Sequence, residues 1–417
     1  MTMPFIKPPR KNPVLRTPQI NLPPAARGRV ALGLTAAAAE GRFALQVCAD
    51  CGAVQYPPRE ACHRCLSPEL PWQLQSGAGE LLAMTTLAHS NDLYFRERLP
   101  WRLGMVRLDA GPSVKVHLHG EVGAAPCRVR VQAHLDRAGQ AVLIGYPEKG
   151  TENMADDPML REMASDPKYR KVLVTDGKSA TGQAVVRALV KAGADLVWVG
   201  HAEPWKQLPG LAELAALPQV TLVPLDVTDE RSVGTLAGQI GGKVDIVVNT
   251  AELHRSFGIA ARRGTDVAKA EMEVNYLGLL RLAQCFGPAL KGRSADGATH
   301  ATAWVNLLSI YALANFPPHG TFSASKAAAL SLAQCLRAEM RPAGIRVVNV
   351  FPGPIDDEWN QNLPPPKLAP AALASAIVKA LKDGVEDIYP GDVAQEWLER
   401  WRHNPKVLER EIAAGGY

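Results

Sequence analysis

The 417-residue chain has no stretch approaching the roughly 18 continuous apolar residues that a membrane-crossing helix needs, although 47% of its residues are hydrophobic. The N-terminus also lacks a signal-peptide core: Pro4, Pro8 and Pro9 interrupt it and no apolar run follows. These absences point to a cytoplasmic protein with apolar residues enough for two or three cores. Nor does either sign of charge dominate, with 46 Lys and Arg against 41 Asp and Glu. The formal net charge is +5 and the basic residues are dispersed, so nothing singles out a nucleic-acid surface. There is no internal repeat. Acids are absent from residues 1–27, where Lys7, Arg10, Lys11, Arg16 and Arg27 stand among prolines. Such a segment cannot build a core of its own and reads as a flexible basic arm.

Cysteine is scarce and uneven. Cys127, Cys285 and Cys335 are scattered in apolar surroundings and are expected as small buried hydrophobes. The other four are clustered: Cys48-x-x-Cys51, then Cys62-x-x-Cys65. In a reducing compartment this pattern is a metal site and not a pair of disulfides. Two residues between thiolates let both sulfurs face one tetrahedral ion. Four soft anionic ligands with no open position suit structural zinc, with iron the minor alternative. His63 lies inside the second knuckle but outside a shell that four thiolates already close.

The texture then changes along the chain. Residues 28–68 hold a helix through the alanine run, a stop at Gly41, and the knuckles. Residues 69–147 alternate in short β-rich runs such as "SVKVHLHGEV" and "CRVRVQAHL", which predict a small all-β barrel or sandwich. Residues 148–170 are polar, contain two Asp-Pro pairs and read as a linker. Over 171–417, apolar strands such as "KVLVT", "KVDIVVNTA" and "IRVVNVFPGP" alternate with helices. That rhythm implies an α/β doubly wound parallel sheet of Rossmann type.

The run "EGRFALQVCADCGAVQYPPREACHRC", followed by "GAGELLAMTTL", resembles the rubredoxin-like zinc ribbon plus OB-fold family over about residues 33–147. The resemblance implies an OB-fold and no catalysis by this half. It implies an accessory role beside a thiolase or thiolase-like enzyme, and help in holding an acyl-CoA. OB-folds also bind nucleic acid. The aromatic platform and basic groove for that are not evident, so neither nucleic acid nor membrane is an expected partner.

The second half resembles the short-chain dehydrogenase/reductase family. That family's glycine turn, T-G-x-x-x-G-x-G, brings a dinucleotide pyrophosphate to amides at a helix N-terminus. Here it reads Thr175-Asp176-Gly177-Lys178-Ser179-Ala180-Thr181-Gly182. Gly182 matches; Asp176 and Ala180 replace the other two glycines, with Gly177 and Lys178 as partial compensation. Asp226 matches the adenine-side aspartate. Asn249 opens the Asn-Asn-Ala-Gly motif, in which Glu252 replaces the glycine. An NAD(P) site on Gly177, Gly182, Asp226 and Asn249 and a plain βα turn without nucleotide both remain open.

The resemblance further implies a catalytic Asn, Ser, Tyr and Lys. Asn275, Ser309 and Lys326 match, but the tyrosine position is Phe322. In the family the tyrosine hydroxyl moves the substrate proton, a contribution of roughly 10²–10⁴-fold. Tyr311 is the one nearby substitute, against a plain core role. Trp397 and Trp401 are expected in packing or an interface, and "IDDEWNQNLPPPKLAP" occupies the family's substrate-lid region. Two readings follow. In the first, the chain is an accessory subunit with a pseudo-dehydrogenase domain, oligomeric through that domain and partnered by a thiolase-type enzyme or an active dehydrogenase. In the second, it is a working NAD(P)-dependent 3-hydroxyacyl-CoA dehydrogenase or 3-ketoacyl reductase fused to a thiolase-recruiting domain.

Overall fold

A computed structural model describes residues 2–9, 19–25, 28–206, 208–261 and 263–415. The chain divides into two compact units, one built mainly on Gln19–Ser165 together with Lys382–Val385, the other on Asp166–Leu381 and the chain from Glu386 onward. Among the described residues no helix is long and apolar enough to cross a membrane.

The first unit opens with the helix Leu32–Ala39. Strand β1 (Ala44–Val47) then pairs antiparallel with β2 (Val54–Gln55) and β3 (Trp72–Leu74). Five further strands follow: β4 (Ala78–Leu87), β5 (Trp101–Leu108), β6 (Ser113–Leu118), β7 (Cys127–Leu135) and β8 (Ala141–Pro147). They close a barrel in the order β4-β5-β6-β8-β7. The β6–β8 pair is parallel and the others are antiparallel, the five-stranded closure of an OB-fold. Period-two alternation builds it. Val114, Val116 and Leu118 of β6 and Val129, Val131 and Leu135 of β7 point inward, while Ser113 and Lys115 face out.

Part of the segment read as a linker belongs to this unit. Asp157 caps the helix Pro158–Met163 by accepting from the Met159 and Leu160 N–H groups. Its Asp-Pro pair is thus a cap followed by a proline at the first helical position. Met159 and Met163 pack with Trp101, Val142 and Ile144. Part of the basic arm is also placed: the Phe5 N–H donates to Asp156 (3.0 Å), and Arg161 lies 3.6 Å over the Phe5 ring. Residues 10–18 and 26–27 of that arm lie outside the described residues.

The second unit is a seven-stranded parallel sheet. Its strands are β9 (Lys171–Val174), β10 (Leu196–His201), β11 (Val220–Pro224), β12 (Ile246–Asn249), β13 (Ala303–Leu307), β14 (Arg346–Val350) and β15 (Asp387–Ile388). The order is β11-β10-β9-β12-β13-β14-β15. Every residue of β12 and β13 is buried, because helices cover both faces of such a sheet. The order reverses between β9 and β12, which puts the crevice at their carboxyl ends. The scattered cysteines differ from expectation. Cys335 is exposed on the outer face of the helix Gly320–Met340, between buried Ala333 and Leu336, and Cys127 and Cys285 are half-buried.

Gly182 has a steric role. A Cβ there would lie 1.9 Å from the Asp176 carbonyl oxygen. Gly182→Ala is therefore expected to lower the stability of the second unit by roughly 1–3 kcal/mol, read as a lower urea midpoint. An unchanged midpoint would mean that the turn moves aside freely.

Candidate functional site

The four cysteine sulfurs all lie within 4.8 Å of one another. The two knuckles turn alike. Gly52 donates its N–H to the Cys48 carbonyl (2.9 Å) and Leu66 to that of Cys62 (3.0 Å), and both residues are left-handed, with φ of 69° and 67°. The N–H groups of Cys65 and Arg64 hold the Cys62 thiol down to about 6. A closed set of four thiolates is a structural zinc site. His63 is exposed, and both its ring and its N–H reach the Gln55 side-chain oxygen rather than the sulfurs.

In the second unit the ends of β9 and β12 are tied together. The Thr175 hydroxyl donates to Asn249 Oδ1 (2.8 Å) and accepts from the Thr250 and Ala251 N–H groups (3.0 and 3.1 Å). Asn249 thus serves the sheet. The Asp176 carboxylate folds back over its own turn and accepts from the N–H groups of Lys178 (3.0 Å) and Ser179. The Gly177 N–H goes to the Gly200 carbonyl (2.9 Å), and the Gly182 N–H to Ser179 Oγ (3.0 Å). The turn donors at 177, 178, 179 and 182 are all engaged within the protein. Asp176 keeps some exposure, yet burial by its surroundings pushes its carboxyl above the usual range. The Lys178 ammonium pairs with Glu203 (2.7 Å). Asp226 Oδ1 accepts from the N–H and hydroxyl of Thr228 (2.8 and 2.7 Å).

Of the expected catalytic positions, Phe322 and Lys326 lie on the helix Gly320–Met340, and Asn275 bonds to Ser325 beside Lys326. The Lys326 side chain is 2% exposed; Nζ donates to the Leu307 carbonyl (2.9 Å) and pairs with Glu252 (2.7 Å). The ammonium lies 5.4 Å from the centre of the Phe322 ring. Asn275, in a π-helical turn (Glu273–Leu277), accepts from the Leu253 N–H (2.9 Å) and donates to the Leu253 carbonyl and Ser325 Oγ (both 2.8 Å). Ser309 accepts from the Tyr311 N–H (3.2 Å). Tyr311 is buried and stacked on Phe316 (4.8 Å) beside Trp397, so it sits in an aromatic core cluster. Trp397 is buried there and Trp401 packs against it. Across the lid region, Ser256 Oγ donates to the Trp359 carbonyl (2.9 Å) and Arg255 lies 4.4 Å over the Trp359 ring.

Two neighbours of this cluster escaped the sequence reading. His254 stacks on Phe322 (3.8 Å, 16°), and its Nε2 lies 2.8 Å from His319 Nδ1. Burial, then His319 and Lys326, depress the His254 pKa to about 2, and burial depresses that of His319 to about 4. No motif announces the pair; the available signal is that His319 lies one helical turn before Phe322. Glu252 was visible as added bulk and charge, but its partner was not.

Glu252→Ala would leave a buried ammonium without its counter-charge. A loss of roughly 3 kcal/mol is expected, most of it regained in Glu252→Ala/Lys326→Met. Equal urea midpoints for wild type and Glu252→Ala would refute the pairing. The histidines set a pH dependence. Unfolded imidazoles take up protons near the ordinary value of 6.5, while the folded ones resist until about 4 and 2. Stability is thus fully present above the unfolded value and falls as the pH drops through this window. His254→Phe should flatten that fall in thermal melts; the same slope in both proteins would count against it.

Comparison with known proteins matches residues 170–367 to the short chain dehydrogenase family. Residues 35–71 match the ChsH2 rubredoxin-like zinc ribbon domain, and residues 72–146 the ChsH2 C-terminal OB-fold domain. The chain is 30% identical over 218 residues to an uncharacterized oxidoreductase of Staphylococcus haemolyticus, covering 51% of this chain and 90% of that protein. It is 30% identical over 215 residues to one of Staphylococcus aureus (strain N315), covering 50% and 89%. Among solved structures, a short chain dehydrogenase from Burkholderia cenocepacia in complex with NADP superposes with a TM-score of 0.54 and 32% identity, covering 59% of this chain and 98% of that one.

Proposed function

Because the chain belongs to the short-chain dehydrogenase family and carries a ChsH2-type zinc ribbon and OB-fold ahead of that domain, we propose that it is an accessory subunit of a complex that processes acyl-CoA thioesters. The first unit recruits a thiolase or thiolase-like enzyme and helps to hold the thioester. The second is a dehydrogenase-like scaffold that no longer transfers hydride and serves as an oligomerisation or docking surface for an active dehydrogenase. Such a pairing joins adjacent steps, since oxidation of a 3-hydroxyacyl thioester makes the 3-keto compound that a thiolase cleaves.

The observation that carries this reading is the Lys326–Glu252 pair, at 2.7 Å beside a phenylalanine ring. In the family that ammonium serves a ribose and a tyrosine hydroxyl; here a carboxylate of the same chain has it, and the hydroxyl is absent. Asp176 supports the reading in the same way by accepting the N–H groups of the glycine turn. The similarity to a dehydrogenase solved with NADP favours a second reading, an active NAD(P)-dependent 3-hydroxyacyl-CoA dehydrogenase or 3-ketoacyl reductase.

Calorimetric titration of the zinc-loaded chain with NADPH and then NADH separates the two. No binding up to millimolar concentration is expected, and Phe322→Tyr alone should gain no turnover because Glu252 still holds Lys326. Micromolar binding, with turnover that Ser309→Ala abolishes, would establish the second reading. Purification from its own host should retain a thiolase-type partner; its absence would sink the accessory role.

A further inference from the structure

The stretch "QYPPR" between the zinc knuckles holds no metal ligand, yet it is pinned from both ends by buried amides. Gln46 Oε1 accepts from the Gln55 side chain (3.1 Å) and the Arg59 N–H (2.9 Å), and Gln46 Nε2 donates to the Arg59 carbonyl (3.0 Å). Gln46 and Gln55 are 5% and 3% exposed. Buried carboxamides this fully bonded fix a backbone. What they fix is Tyr56-Pro57-Pro58, which forms one wall of a cavity of about 420 Å³ inside the first unit. That is the size of a small-molecule site.

The barrel supplies the facing wall through Phe95, Trp101 and His117. Trp101 Nε1 donates to His117 Nδ1 (2.7 Å), and Phe95 packs edge-on against Trp101 (5.4 Å) and stacked on His117 (6.4 Å). The rings are therefore held before any ligand arrives. Leu34 and Pro23 add further apolar wall. Asp136 also lines the cavity, but its Oδ1 already accepts from the Gln140 N–H (2.9 Å). Lys115, exposed, is the single lysine or arginine of the lining. A sugar or a phosphate inside such walls would leave polar groups unpaired, at a cost in free energy. The polar exceptions besides Asp136 and Lys115 include Thr35 and Tyr94, and the buried Tyr94 hydroxyl has no hydrogen-bond partner among the described residues; the rest of the wall is mainly apolar and favours a hydrocarbon.

We infer that this cavity is an acyl pocket. It takes the hydrocarbon part of a carboxylic acid derivative, with Lys115 as the cation for an anionic head. One wall is the loop between the two knuckles, so the metal site shapes the pocket. The inference rests on the acyl-CoA reading above only for the source of the acyl group; a free carboxylate carries the same chemistry.

The test uses the full, zinc-loaded chain. Calorimetry and tryptophan fluorescence follow binding of CoA, of butyryl-, hexanoyl- and octanoyl-CoA, and of hexanoate, octanoate and decanoate. Affinity should rise about three- to fourfold per added methylene until the pocket is full. Ala31→Phe, at a half-exposed lining position, should abolish that rise with circular dichroism and zinc content unchanged. Tyr56→Ala should move the optimum to longer chains. A rise with the thioesters supports the pocket and the acyl-CoA reading together. A rise with the free acids alone keeps the pocket and removes the acyl-CoA reading. Equal affinity for CoA and all its thioesters overturns the pocket and leaves that reading standing. No binding by either series, or a rise unaltered in both folded variants, also overturns the pocket.

Discussion

A buried ammonium must have a counter-charge, and the neighbourhood of Lys326 is arranged around that requirement. An unpaired charge at 2% exposure would cost several kcal/mol. Glu252 meets the need from the end of β12, and the Leu307 carbonyl of β13 takes another of the ammonium's protons. Other groups nearby adjust to this pair. His254, close to the ammonium and desolvated, is held neutral and can therefore stack on Phe322 and share a proton with His319. Asp357 is pushed up by burial and by the Glu252 charge.

The glycine turn follows the same rule. A helix N-terminus presents unsatisfied N–H groups and a partial positive charge, which draw an anion. Ahead of the helix Ala180–Lys191 the Asp176 carboxylate takes the N–H groups of Lys178 and Ser179, while Ser179 Oγ caps the helix itself by accepting from the Gly182 N–H. Gly182 remains necessary here, but for the close approach of the Asp176 carbonyl. Two carboxylates from separate elements thus occupy two sockets, and each was recognisable in the sequence only as a departure from a motif.

The fold was legible because its signals are local. Continuous apolar strands such as "KVLV" and "AWVNL" announce a sheet covered on both faces, the alternation in "SVKVHL" a barrel wall, and the cysteine spacing a metal knuckle. The site was less so. Nothing near Glu252 in the sequence names Lys326, and nothing near His254 names His319; both contacts come from parallel strand order bringing distant loops to one edge. Tyr311 could be recognised as a core residue only once Phe316 and Trp397 were seen around it. Asp176 was half legible. An aspartate before Gly-Lys-Ser is a local turn former, a signal that could have placed its carboxylate over its own turn but was not used.

The helix capped by Asp157 has a consequence for dissecting the chain. Similarity to the OB-fold domain ends at residue 146, and the last barrel strand ends at Pro147. The folding unit does not end there, because Met159 and Met163 still cover Trp101, Val142 and Ile144. A fragment cut where the homology stops would expose this apolar side of the barrel and invite aggregation. The inherited module and the physical domain have different ends, and the second lies near Ser165.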